Sequence, residues 1–272
     1  MKVLLTGATG SLGRPLLAAL LAEGHDVRAL SRRPQAAGAV EWVVGDLRTG
    51  QGLREALSGI EVVVHAATKG GFEGGRFRPR NAFLHDKKTD VGGTARLLQE
   101  SARDGRRHVV YVSIVGMENL PPSQRLPLSY YRHKLAAERL VPAAGGPFSI
   151  ARVTQFHSLV NALLAFGSKF PAIMLPLKTM YQPIDETDAA RLIAPLVALP
   201  PLNGHVEFGG PERRTLADLG AAWLRINGSS KRLRNLPMGG SRALASGVLC
   251  TEDHSGTVTW ERWLERNRAV AP

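Results

Sequence analysis

Lys2-Val3-Leu4-Leu5-Thr6-Gly7-Ala8-Thr9-Gly10-Ser11-Leu12-Gly13 opens the chain, and its reading decides the fold. Residues 2–5 read as a short apolar strand. Leu16-Leu17-Ala18-Ala19-Leu20-Leu21 then begins an apolar periodic stretch, which predicts a helix over 12–22. Strand, glycine turn and helix in that order form a phosphate-binding device. Gly7 permits the tight turn, Gly10 lets backbone approach a pyrophosphate, and Gly13 lets helix and strand pack closely. The helix N-terminus offers backbone N–H groups and a partial positive charge to the phosphates. Thr9, Ser11 and Leu12 complete the candidate phosphate-contacting set.

The glycines are spaced Gly-x-x-Gly-x-x-Gly, a pattern that resembles the short-chain dehydrogenase/reductase superfamily. The chain beyond them alternates in the way such a fold requires. Strands are predicted at 2–5, 27–30, 40–44, 62–65, 108–112 and 148–151, and helices at 12–22, 53–57, 91–103 and 130–141. This pattern predicts an α/β fold, a doubly wound parallel Rossmann sheet with ligands at the carboxyl ends of its strands. After Arg152 the pattern loosens. Helices are predicted at 156–166, 185–199, 215–226 and 258–266, with a short strand at 206–208. We therefore expect a dinucleotide-binding domain over residues 1–152. Residues 153–272 are expected to form mostly a small substrate-side lobe that partly returns to the sheet.

Strand 27–30 ends in Ser31-Arg32-Arg33, where an NAD-preferring fold carries an acidic residue for the ribose hydroxyls. Arg32 can pair bidentately with a 2′-phosphate and stack on adenine, so the expected cofactor is NADP(H) rather than NAD(H). Asp46 resembles the family aspartate beside the adenine amino group, and Leu47 the residue packed on the ring. The alternative for Asp46 is an ordinary turn aspartate. Ala66, Ala67 and Thr68 end the fourth strand and resemble the family's small residues beside the cofactor ribose. His65 reads as a packed strand-end histidine.

Tyr130-Tyr131-Arg132-His133-Lys134 carries Tyr-x-x-x-Lys, whose two side chains share a helix face. It resembles the superfamily's active-site motif. That resemblance implies a proton-transferring Tyr130, with Lys134 favouring the phenolate and holding the nicotinamide ribose. Tyr131 is out of register with the motif. Ser113 is the third catalytic candidate. In extended relatives a hydroxyl run sits there, whereas this chain has Ile114 and Val115, so Ser113 is equally readable as a plain strand-end serine. Ser113-Ile114-Val115-Gly116, the tyrosine motif and Ala151-Arg152-Val153-Thr154-Gln155-Phe156-His157 together resemble the atypical NmrA-like branch. Gln155 or His157 could contact substrate.

The implied function is NAD(P)H-dependent reduction of a small carbonyl, quinone or activated alkene, with Tyr130 as proton donor. An NADP(H)-sensing regulator without turnover and a nucleotide-sugar epimerase are the alternatives. The chain has 272 residues, a net charge of +12 and one cysteine, Cys250, which excludes an internal disulfide. No apolar run reaches the roughly 20 residues of a membrane span, and Met1 leads straight into a strand, so a cytoplasmic protein without a membrane partner is expected. The histidines lack metal-ligand spacing, and no metal is expected. The charge is spread along the chain, which argues against nucleic acid and fits an anionic small molecule. The basic segment 69–88, interleaved with Phe72, Phe77 and Phe83, reads either as a lid favouring an acidic substrate or as a solvated loop.

Overall fold

The computed structural model describes residues 1–36, 38, 40–69, 72–73, 76–77, 87–120, 129–237 and 241–268. Most of the basic segment 69–88 lies outside the described residues. Of its interior, only the backbone of a two-stranded hairpin, β5 (Phe72–Glu73) and β6 (Arg76–Phe77), is described.

A seven-stranded parallel sheet forms the centre. It contains β1 (Lys2–Thr6), β2 (Asp26–Ser31), β3 (Glu41–Val44), β4 (Val62–His65), β7 (His108–Ile114), β8 (Phe148–Val153) and β11 (Gly204–Phe208). Their order is β11-β8-β7-β4-β1-β2-β3, so the direction of winding reverses at β1. Both faces are covered, and residues 3–5, 62–64 and 109–112 are accordingly continuous apolar runs, while β2, β8 and β11 carry Arg28, Arg152 and Glu207 within theirs. Val3 and Leu5 pack with Val62, Val64, Val110 and Val112 on one face. Leu4, Val63, Val109 and Tyr111 point to the other. The first face is closed by α1 (Gly13–Ala22) and α6 (Glu186–Ile193). The second is closed by α2 (Leu53–Leu57), α3 (Lys87–Ser101) and α4 (Ser129–Ala143).

The helix expected over 185–199 begins where Asp185 caps it, accepting from Thr187 N at 2.7 Å. It gives way to a 3₁₀ turn, Ala194–Val197, because Pro195 has no N–H for the α-helical ladder. The sequence then re-enters the sheet through β11, which pairs in parallel with β8.

A second core lies beside the sheet. It is built from α5 (His157–Gly167), α7 (Leu216–Ile226) and α9 (Trp260–Arg266), with Trp223, Trp260 and Trp263 buried in it. The shared face expected of Trp260, Trp263 and Leu264 is its wall. Two small sheets complete it: β9 (Ala172–Leu175) with β13 (Arg232–Asn235), and β10 (Met180–Tyr181) with β12 (Arg214–Thr215). A short helix, α8 (Ser241–Ala245), follows β13.

Candidate functional site

The carboxyl ends of β1, β2, β4, β7 and β8 open into one cleft of about 670 Å3. At its base the glycine turn has the close approaches that its sequence predicts. Gly7 has φ +80°, and a Cβ there would sit 2.7 Å from Ala67 N. A Cβ on Gly13 would lie 1.9 Å from Gly7 O, so only glycine lets α1 start this near the strand. Leu12 caps α1 without a side-chain hydrogen bond. Of its first-turn amides, Arg14 N donates to Gly10 O at 3.2 Å and Pro15 has no N–H, so an anion would be met by the glycine turn itself, whose Thr9, Gly10 and Ser11 line the same wall. A dinucleotide's pyrophosphate fits this cradle.

Ser31 and Arg32 stand at the end of β2 on the cleft wall, joined there by Arg14 and Arg48. Ser31 Oγ accepts from Arg33 N at 3.3 Å and from Gln35 Nε2 at 3.3 Å, which shapes the turn, while Arg32 is exposed. Asp46 also lines the cleft, with Leu47 buried behind it, but its Oδ1 accepts from Arg48 N at 2.8 Å. The carboxylate therefore serves the turn as well as lining the cleft. Ala66, Ala67 and Thr68 follow β4 along the cleft floor, and Ala66 N donates to Thr6 O at 3.3 Å.

At the opposite end, α4 places Tyr130 and Lys134 on the cleft. Burial pushes the Tyr130 phenol above its ordinary pKa, buried Asp90 adds to the rise, and a hydrogen bond with Thr68 opposes it. Tyr130 therefore holds its proton at neutral pH. Lys134 was expected to favour the phenolate. Its ammonium instead sits 4.3 Å from the centroid of the Tyr111 ring, where the π-face attracts it. Burial draws the Lys134 pKa down to about 8, against the opposing Asp90 and Glu138 carboxylates. Tyr131, out of register in the sequence, also reaches the cleft, with its ring centroid 5.8 Å from that of Tyr130.

Ser113 lines the cleft at 3% exposure, but its hydroxyl donates to Glu138 Oε2. Glu138 Oε1 accepts from Arg152 at 2.7 Å, and Arg152 also pairs with Glu118. Ser113 thus presents lone pairs rather than a proton to the cleft. Glu138 stands one helical turn beyond Lys134, so the spacing that marked Tyr130 and Lys134 could have revealed it. Asp90 and Tyr111 carry no such signal.

His65 is a packed histidine. Its Nδ1 meets Thr6 Oγ1 at 2.7 Å and its Nε2 meets Thr94 Oγ1 at 2.9 Å, and burial lowers its pKa to about 3. Gln155 does line the cleft, with its Nε2 donating to Leu249 O at 3.0 Å. His157 does not. It is 1% exposed, Nε2 lies 2.9 Å from Val258 O, and its ring stacks on Trp260. It belongs to the second core and is withdrawn as a substrate contact.

The family model described as NAD(P)H-binding matches residues 7–159, more than half of the chain and all of the glycine-turn half of the cleft. Sterol demethylase protein B of Methylococcus capsulatus is 40% identical over 127 residues, which is 45% of this chain and 37% of that protein. A 3-beta-hydroxysteroid dehydrogenase of Mycolicibacterium neoaurum is 29% identical over 159 residues, covering 53% of this chain and 43% of its own. A 4-hydroxy-2-methyl-3-oxo-4-farnesyl-3,4-dihydroquinoline-1-oxide ketoreductase of Stigmatella aurantiaca is 34% identical over 164 residues, 54% of this chain and 47% of its own. The chain spans less than half the length of these relatives. Among solved structures, a short-chain dehydrogenase/reductase superfamily protein from Agrobacterium tumefaciens with bound NAD superposes with TM-score 0.70. Its identity is 22%, covering 98% of this chain and 95% of that one. A nucleoside-diphosphate-sugar epimerase from Staphylococcus aureus gives TM-score 0.74 at 17% identity, covering 97% and 100%. These two establish the fold. With the glycine cradle, the winding reversal at β1 and the family match in agreement, the chain belongs to the NAD(P)H-binding family and has the Rossmann fold of the short-chain dehydrogenase/reductase and epimerase superfamily.

Proposed function

We propose that the protein is an NADP(H)-dependent reductase of a small, largely apolar carbonyl, quinone or activated-alkene substrate. The observation that carries this is the placement of Tyr130 on the same cleft as the glycine cradle, with burial keeping its proton in place. Bound NADPH would supply the hydride. Tyr130 then donates its phenolic proton to the oxygen that gains negative charge. Lys134, anchored over Tyr111, would hold the nicotinamide ribose hydroxyls. Ser113, whose proton is committed to Glu138, accepts from a hydroxyl of the substrate or product. Phe156 and Leu159 give that part of the cleft an apolar wall. The three relatives named above, whose names point to sterol, steroid and farnesyl-quinoline chemistry, support the apolar character of the substrate.

The preference for NADP(H) rests on Arg32, with Arg14 and Arg48 lining the same cleft. Titration with NADPH and NADH, read by cofactor fluorescence, tests it. Arg32→Ala is expected to weaken NADPH tenfold or more, the loss of a charge-assisted bidentate contact, and to leave NADH unchanged. Equal loss for both cofactors overturns the preference. Tyr130→Phe tests the chemistry with a panel of ketones and quinones: turnover should vanish while NADPH affinity stays. Wild-type protein that binds NADPH and reduces nothing in the panel would favour the sensing reading.

A further inference from the structure

The second core carries an outward surface that the cleft does not use. In the β9–β13 sheet Ile173, Leu175 and Leu233 point into the core. The opposite face carries Met174 directly beside Arg234, and Arg232 one step back beside Ala172. Phe170 lies just before β9. Leu236 extends β13, its N–H donating to Leu175 O at 2.8 Å. Phe170 is 51% exposed, Met174 56% and Leu236 41%. Large apolar side chains this open, gathered on one small sheet, mark an interaction surface rather than scatter.

The charge around them has one sign. Lys169, Lys178, Lys231, Arg232 and Arg234 belong to the same two segments. No Asp or Glu occurs from 167 to 184 or from 219 to 251. Among the described residues none of these five cations forms an ion pair. Lys231 Nζ donates to the Phe170 carbonyl at 3.0 Å, which ties the cationic segment to the exposed phenylalanine.

We propose that this face docks onto an anionic lipid bilayer surface, with Phe170, Met174 and Leu236 entering the headgroup boundary and the five cations meeting lipid phosphates and carboxylates. Charge decides the occupant. A second copy would set five cations against their own images. A single-stranded nucleic acid would need several aromatic platforms, and among the described residues of this face Phe170 alone is an exposed aromatic. Apolar side chains ringed by lysine and arginine match the bilayer boundary, where both kinds of group are satisfied together. The expectation of no membrane partner came from the lack of a spanning stretch, and surface docking needs none. This inference does not depend on which substrate is reduced.

Co-sedimentation with vesicles tests it, using phosphatidylcholine alone and phosphatidylcholine mixed with phosphatidylserine. The protein is expected to bind only the mixed vesicles and to be released by salt. Arg232→Glu with Arg234→Glu should weaken binding about thirty-fold or more. Phe170→Ser with Met174→Ser should weaken it about tenfold at unchanged charge. Both variants alter exposed side chains, so melting temperature and NADPH affinity should match the wild type. Equal binding to both vesicle types, or wild-type binding by the charge-reversed variant, overturns the proposal. So does binding of single-stranded oligothymidylate without vesicle binding, which would assign the face to nucleic acid. A dimer that Met174→Ser abolishes, again without vesicle binding, would assign it to a second copy.

Discussion

At the scale of single residues, two positions make separable predictions. Gly13 has a carbonyl where a side chain would be, so Gly13→Ala must push α1 away from β1. Cofactor binding should fall below detection and stability by about 1–3 kcal/mol, the usual cost of forced overpacking. Gly10→Ala, whose Cβ would meet Gly7 O at 3.2 Å, should be milder in stability. The two are compared by chemical denaturation and NADPH titration. Lys134 is protonated below its pKa of about 8 and neutral above it. A neutral amine holds ribose hydroxyls and an anionic cofactor less well. NADPH affinity is therefore expected to decline as pH rises from 7 to 9, and Lys134→Met should be weak and flat across that range. A wild-type profile as flat as the variant's would remove Lys134 from the cofactor site.

At the scale of elements, α6 and the loop before α9 are joined by one carboxylate. Asp188 Oδ2 accepts from Thr257 N at 2.6 Å and Val258 N at 2.9 Å. Partial burial works against its charge, yet these donors outweigh it and hold its pKa below the ordinary value. Asp188→Ala leaves both backbone donors without their acceptor, and we expect a loss of about 2–4 kcal/mol in urea unfolding. Asp188→Asn, which keeps one acceptor oxygen, should lose less. Elements also differ in how legible they were. The central strands β1, β4 and β7 were readable because each holds a continuous apolar run, as burial on both faces demands. Strand β13, Arg232-Leu233-Arg234-Asn235, reads as a basic loop, because only one of its side chains enters the core and its partner β9 is distant in sequence. The 3₁₀ turn after Ile193 was signalled by Pro195, and the helix expected across it was drawn too long.

At the scale of the whole molecule, stability should follow the buried histidines. Burial lowers the pKa of His65 to about 3, and it also lowers those of His157 and His108. The folded state takes up these protons at lower pH than the unfolded chain, whose histidines charge below about pH 6.5. Stability is therefore present above that pH and falls as pH drops, by about 1.4 kcal/mol per pH unit for each fully excluded proton. Asp188, Asp253 and Glu261, whose pKa values are lowered, add to the loss in stronger acid, and Glu186, whose pKa burial raises, opposes it. Denaturation midpoints at pH 7 and pH 5 should differ clearly, and His65→Gln should lessen the difference if the variant folds. Equal midpoints would contradict the burial assigned to these rings.

The sequence by itself determined the glycine turn, the parallel sheet and the placing of Tyr130 and Lys134 on one helix, because all three are local. A turn needs its glycines within a few residues, a strand covered on both faces is mostly apolar, and a helix face repeats every three or four positions. Only the tertiary structure decided how those groups are tuned. Ser113 gives its proton to Glu138, Lys134 rests on Tyr111, His157 withdraws into the tryptophan core, and β9 meets β13 to bring unpaired cations around Met174. Each of these depends on side chains far apart in the chain. Their charge, burial and hydrogen bonds are set by which elements pack together, and no short-range spacing records that.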